Sequence, residues 1–347
     1  MRLRAILTLP LFVLALPSLS FAQETYPPSS LQQDFAFVVQ TIRDVHPDPY
    51  TKMSAGELEQ LQAEIEAELT QPLTAVGFYE LVKPYVASLQ DDHTSLTLGE
   101  PETEPGCEND GRRNSYVLKG AGVLDLPTFG VGGPGEVESG LESFADFFEQ
   151  AFTTFQERNV RTLVIDLRKN SGGNSSVGDE LLRYITDQPY RFYSRVDIKL
   201  SKQALEWLKS YGEDVSEEDI ASATGEIVTS ELLLETPPPT PLHFNGGVFV
   251  LTGPCTASSA TDFAAVVKDF HLGTIVGEET GGLPTDFGNY IVFILPETGL
   301  ELRVSSMYFV RPSEFDDGRG VLPDCGVAAQ GAMQTVLSGQ CEPVGEE

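Results

Sequence analysis

The segment Val250-Leu-Thr-Gly-Pro-Cys-Thr-Ala-Ser258-Ser-Ala-Thr-Asp262 reads as a buried strand that ends in a Gly/Pro turn and passes through small residues straight into a helix. Ser258 then stands at a helix N-terminus, where free backbone N–H groups and the helix dipole favour the negative charge that develops in acyl transfer. Serine at that place also serves as an ordinary N-cap. A second turn of the same kind follows the apolar run Leu163-Val-Ile-Asp-Leu167, where Arg168-Lys-Asn-Ser-Gly172-Gly173 leads into a helix from about Val177. Its two glycines expose backbone amides beyond the C-terminal end of a strand, where α/β sheets place their ligands. One of them, with the Ser259 amide, would make an oxyanion hole.

A serine nucleophile needs a base, and the chain offers His46, His93, His243 and His271. His271 follows Ser258 across a helix, about 20 Å along its axis. His46 precedes Pro47 at a helix end, and His243 opens the strand that ends near Ser258, several residues away. His93 remains, in Leu89-Gln-Asp-Asp-His93-Thr-Ser95, with Asp92 or a more distant acid to orient its ring.

The elements that must position these residues come in two styles. Between Leu31 and Asp92 apolar residues recur at helical spacing, as in Phe35, Val38, Val39 and Ile42, then Leu58, Leu61 and Ile65, then Phe78, Leu81, Val82 and Tyr85. This spacing predicts about three helices in a domain of residues 23–98. Residues 99–120 read as a linker that carries Cys107. Beyond it strands and helices alternate, which predicts an α/β core over residues 99–347, with an acidic, proline-broken insertion or lid at about 191–241. Strands are expected at Ala121 to Leu126, Thr162 to Leu167, Val248 to Leu251, Thr274 to Val276, Tyr290 to Leu295 and Glu301 to Tyr308. Helices are expected over Leu141 to Phe155 and Ala260 to Phe270.

Residues 1–22 have the form of a secretory signal, with Arg2 and Arg4, an apolar run from Ala5 to Leu16, and Ser20-Phe21-Ala22 at the cleavage site. The expected location is therefore periplasmic or secreted, with no membrane span after signal removal. In that setting Cys107, Cys255, Cys325 and Cys341 predict disulfides. Three pairings are possible, of which Cys325 with Cys341 closes the short loop and leaves Cys107 for Cys255. The formal charge of −30 argues against nucleic acid as a partner. It leaves open a preference for basic substrates. Gly130-Val-Gly-Gly-Pro-Gly135 matches a dinucleotide fingerprint, but Glu136, Glu138 and Glu142 follow it and would repel a pyrophosphate, so no nucleotide cofactor is expected, and with neither HExxH nor a C-x-x-C pair no metal is expected.

Five segments occur in a telling order: Asp91-Asp-His-Thr94, Asp166-Leu-Arg-Lys-Asn-Ser-Gly-Gly173, Thr256-Ala-Ser-Ser259, Val276-Gly-Glu-Glu-Thr-Gly-Gly282 and Gly318-Arg-Gly-Val-Leu-Pro-Asp324. In this the chain resembles the serine peptidase family of the C-terminal processing proteases, the tricorn core and the repeats of interphotoreceptor retinoid-binding protein. The resemblance implies a ClpP/crotonase-like β-α core, Ser258 as nucleophile, and an oxyanion hole from Ser259 with Gly172 or Gly173. The interval between His93 and Asp166 leaves no room for a PDZ domain, so the likeness is to the tricorn and retinoid-binding branch, where the base is a histidine. In that branch a glutamate often precedes the Gly-x-Gly-Val-x-Pro-Asp signature, and Asp317 stands at that position. Where processing proteases carry a catalytic lysine this chain has Leu283. The expected function is an exported serine peptidase acting on a peptide or protein through a Ser258 acyl-enzyme, with His93 as base and Asp92 or Asp317 behind it. A binding protein of the same fold, holding an apolar ligand or peptide, is the alternative, and the sequence leaves the oligomeric state open.

Overall fold

The structure, a computed structural model, describes residues 24–99, 105–133, 135–212 and 214–342. The expected signal, residues 1–22, and Pro134 of the glycine-rich turn lie outside the described residues. The N-terminal part contains β1 (Thr25–Tyr26), α1 (Pro28–Val45), α2 (Ala55–Glu68), β2 (Leu73–Thr74) and α3 (Ala75–Ala87). Local chemistry sets their ends. Pro28 opens α1, where a missing N–H is harmless. Ser54 and Glu57 form a reciprocal capping box on α2, and the Thr74 hydroxyl accepts the Gly77 amide at the start of α3.

The buried stripe of α1, with Leu31, Phe35, Val38 and Ile42, packs on Phe78, Val82 and Tyr85 of α3. The same cluster takes in Ile291, Leu302 and Val304 from strands far along the chain. The helices therefore do not close their core alone. Docking on those strands completes it, at about 1.5–3 kcal/mol for each large apolar side chain buried, and this fixes where the chain leaves α3.

The remaining elements are β3 (Ser95–Thr97), β4 (Asn114–Leu118), β5 (Ala121–Asp125), α4 (Val137–Glu157), β6 (Thr162–Asp166), α5 (Ser175–Ile185), β7 (Arg195–Lys199), α6 (Lys202–Ser210), α7 (Glu217–Ala221), β8 (Ile227–Glu231), β9 (Gly247–Thr252), α8 (Ser259–Asp269), β10 (Thr274–Gly277), β11 (Asp286–Ile294), β12 (Glu301–Val310), β13 (Cys325–Gly326) and α9 (Ala329–Leu337). A six-stranded sheet runs β13-β10-β9-β6-β5-β4, parallel except for β4 at its edge. Its inner strands β5, β6, β9 and β10 are apolar on both faces because both are covered. Leu163, Ile165, Val248 and Val250 meet α4, α5 and α8, whereas Val164, Phe249 and Leu251 meet α9.

The second sheet is antiparallel, in the order β11-β12-β7-β8, with β3 also paired to β12. The segment read as an insertion, 191–241, thus supplies two strands of this sheet. The segment read as a linker holds β4, whose five residues are too short and too exposed for their alternation to stand out. Helix α9 also escaped sequence reading. Cys107 is bonded to Cys255 and Cys325 to Cys341.

Candidate active site

The carboxyl ends of β6 and β9 lie side by side, with Asp166 opposite Leu251, so the two glycine-bearing turns that leave them touch. Asn170, fully buried, ties them together. Its side-chain amide donates to the Leu126 carbonyl at 2.9 Å, its Oδ1 accepts the Gly172 amide at 2.8 Å, and its backbone carbonyl accepts the Ala257 amide at 3.0 Å. Thr256, also fully buried, donates its hydroxyl to the Leu167 carbonyl at 2.8 Å and accepts the Gly253 amide.

Held at these points, Ser258 adopts φ 50° and ψ −134°, a region in which a side chain costs about 1–3 kcal/mol. The turn is gripped by two glycines for steric reasons. A Cβ on Gly172 would lie 2.6 Å from the Ser258 Cβ, and one on Gly282 would lie 2.9 Å from the Ser258 nitrogen. Ser258 immediately precedes α8, so its hydroxyl sits at the positive end of that helix dipole.

His93 arrives from the helical part. The turn after α3 is closed by Asp91, whose Oδ1 accepts the His93 amide at 2.8 Å and whose Oδ2 accepts the Thr94 hydroxyl at 2.5 Å. The Thr94 hydroxyl in turn accepts the Ser305 amide from β12 at 3.0 Å. His46 completes the support. Its Nδ1 accepts the Asp48 amide, which leaves Nε2–H to donate to Asp91 Oδ2 at 3.1 Å. Burial pushes the Asp91 carboxyl up, but the hydrogen bonds from His46 and Thr94 outweigh it and hold it at about 2.

So placed, His93 Nε2 stands 3.1 Å from Ser258 Oγ, across 165 residues of sequence. Its Nδ1 is buried and has no hydrogen-bond partner among the described residues. The ring stacks on Tyr290 at 6.4 Å, and the Arg303 guanidinium lies 4.9 Å from the other ring's centroid. Among the described residues no lysine lines either cavity beside Ser258. Leu283 lines both, and Lys268 is paired with Asp324 at 2.7 Å.

The other residues singled out from sequence are placed as follows. Ser259 is the first residue of α8, and its amide has no acceptor among the described residues; nor does that of Gly173. The Gly172 amide is already engaged by Asn170. Asp92 is exposed beside the cavity that holds His93. Asp317 lies in an exposed loop, where its Oδ1 accepts the Arg319 amide at 3.2 Å. No hydrogen bond among the described residues joins Asp92 or Asp317 to His93. In the dinucleotide-like turn, the Glu136 carboxylate itself accepts the Gly133 amide, occupying a donor a phosphate would need.

Residues to which sequence reading gave no role also belong here. Asp91 and Asn170 lie inside the quoted motifs, but only the fold shows that both are buried hubs. Asp262 and Asp286 line the cavity next to Ser258. Asp262 Oδ2 accepts the Tyr193 hydroxyl at 2.8 Å. Burial pushes Asp262 up to about 7 and, with the neighbouring charge of Asp91, pushes Asp286 up to about 8. One sign was legible in sequence: Asp262 lies one helical turn beyond Ser258.

A parallel sheet covered on both faces, with a strained serine between two glycine turns and an imidazole against it, is the architecture of a hydrolase built on an α/β core. The chain belongs to peptidase family S41, whose model matches residues 120–327, more than half of its length. It is 27% identical over 202 residues to the chloroplastic C-terminal processing peptidase of Tetradesmus obliquus. That match takes in 57% of this chain and 35% of the relative, so the chain spans about a third of the relative's length.

Among solved structures, mature CPAF complexed with lactacystin is similar with a TM-score of 0.59 at 15% identity, covering 90% of this chain and 97% of that one. A putative peptidase from Parabacteroides merdae gives 0.56 at 17%, covering 86% and 90%. A lipoprotein from Streptococcus agalactiae gives 0.54 at 14%, covering 91% and 98%. At these identities the likeness is one of fold.

Proposed function

We propose that this chain is an exported serine peptidase, acting in the periplasm or outside the cell, that cleaves peptide bonds through an acyl-enzyme on Ser258 with His93 as general base. The observation that carries the reading is the 3.1 Å approach of His93 Nε2 to Ser258 Oγ at a helix N-terminus. In the first half-reaction Ser258 Oγ bonds to the carbonyl carbon of the substrate while its proton passes to His93 Nε2. The carbonyl oxygen becomes an oxyanion facing the backbone amides of Ser259 and Gly173. Gly172 has a different part: it makes room for Ser258 and fixes the turn through Asn170. The C–N bond then breaks, and the imidazolium gives its proton to the departing amine. Water repeats the sequence on the ester, returning the serine and releasing the acid.

Family membership, the two disulfides and the signal-like N-terminus support a peptidase of an oxidising compartment. The test is labelling by a fluorophosphonate probe together with peptide turnover. Wild-type protein should label once, and Ser258→Ala should abolish both labelling and turnover. His93→Ala should lower turnover by about 10²–10⁴ with thermal unfolding unchanged. Labelling that persists in Ser258→Ala would place the nucleophile elsewhere.

A further inference from the structure

We infer that the cavity beside Ser258 receives a cationic side chain, lysine or arginine, of the residue whose carbonyl is attacked; the inference rests on the Ser258 reading. Ser258 and Ser259 line this cavity of about 100 Å³, so a carbonyl held between them directs its own side chain into it. A space of about 10–15 Å³ is the least that admits one water, so this cavity has room for more than one and for the end of an extended side chain in their place. Leu283, Phe287 and Phe309 form apolar wall suited to methylenes, and Asp262 and Asp286 supply the carboxylates.

Among the described residues no lysine or arginine lines the cavity, and no ion pair involves either acid. Each carboxyl is raised by burial, and Asp286 also by Asp91, Asp92 and Asp262, so the protein supplies repulsion where a counter-charge is wanted. An independent feature points the same way. Ser259 Oγ is buried without a hydrogen-bond partner, on a residue only 4% exposed, and it lines the same cavity. The site thus offers two acids without counter-charge, which a bound ammonium or guanidinium draws into their ionised form, and a spare hydroxyl to complete the set. A metal ion suits it less, since no group of three or more His, Cys, Asp or Glu among the described residues is arranged to hold one. The neighbouring cavity of about 340 Å³ is lined by Asp92, Asp286 and Arg303, so the described cation nearest the site lies on the other side of Ser258. A net charge of −30 draws basic chains toward both.

Equilibrium binding to Ser258→Ala tests this without requiring turnover, using one peptide with lysine, arginine, norleucine or glutamine at the variable residue. Lysine and arginine should bind at least about tenfold more tightly than norleucine. Asp262→Asn or Asp286→Asn, added to Ser258→Ala, should bring that ratio close to one. Should Asp262→Asn fail to fold, Asp286→Asn and the four peptides on the parent still decide. Equal or tighter binding of norleucine would overturn the inference, and a preference for glutamine would show that the acids act protonated, as neutral hydrogen-bonding groups. Labelling of Ser258 without a lysine or arginine preference sinks the pocket alone. Tight binding of lysine or arginine without Ser258 labelling sinks the nucleophile alone.

Discussion

Ser258 is held in a conformation that serine does not favour, and the restraint comes from residues with no chemistry of their own. Asn170 and Thr256 anchor the two turns, and glycine at 172 and 282 leaves them room to touch. His93 is positioned on the same principle. Asp91 accepts the His93 amide, the Thr94 hydroxyl and the His46 ring N–H, whereas Asp92 is exposed and Asp317 is turned to Arg319. Asp91 therefore carries the weight of the His93 turn. Asp91→Asn exchanges an acceptor for a donor inside that turn and should cut kcat by about 10²-fold, the cost of a displacement near 1 Å, with KM little changed. Asp317→Asn should leave kcat near the wild-type value. Steady-state kinetics on the two variants decide the matter, and the reverse ranking would return the orienting role to Asp317.

At the scale of elements, the site depends on β12, which holds three partners. It pairs with β3 next to His93, with β11 carrying Asp286, and with β7 from the segment 191–241. Its end is tied to the helix that follows Ser258, because Arg311, just beyond β12, makes a two-toothed ion pair with Asp269 at the last turn of α8. Both side chains are 7% exposed. Removing one partner strands a buried charge, so Asp269→Ala should destabilise the chain by about 3–5 kcal/mol. Denaturant unfolding measures this. Replacing both residues by apolar ones of similar size should recover much of the loss, which separates the cost of the orphaned arginine from the value of the pair. A second tie, the Cys107–Cys255 bond, clasps the segment before β4 to the turn three residues ahead of Ser258.

For the whole molecule, the buried acids give stability a pH profile with opposing limbs. Asp286 and Asp262, at about 8 and about 7, bind protons in the folded chain that an unfolded chain has released by about pH 4. Folding therefore takes up protons between about pH 4 and 8, and stability falls as pH rises through that window. Asp91, held at about 2, has the opposite sign: its contribution is complete above about pH 4 and is lost as pH falls toward 2. Melting temperature should accordingly be highest in weak acid. Asp286→Asn removes one raised carboxyl from among Asp91, Asp92 and Asp262, so it should flatten the alkaline limb and raise Tm by a few degrees at pH 8 relative to wild type. An unchanged slope between pH 5 and 8 would show that Asp286 is not ionising there.

Much of this was legible from the chain alone, because some constraints are local. Helical spacing marked α1, α2 and α3, apolar runs marked β6 and β9, and the strand-to-helix turns at Ser258 and Gly172-Gly173 follow from small residues where a side chain has no space. The cysteine pairing also followed local reasoning, since a short loop closes easily. Short or exposed strands were not legible: β4 carries too few apolar residues to signal, and β7 and β8 are defined by pairing to β12 rather than by pattern. What only the tertiary structure decided is proximity and environment. Sequence can nominate His93, but its 3.1 Å approach to Ser258 depends on α1 and α3 completing their core against β11 and β12. Nor does sequence distinguish Asp91 and Asp286 from the exposed Asp92 and Asp317, because an acid's role depends on burial and on charges brought near by folding.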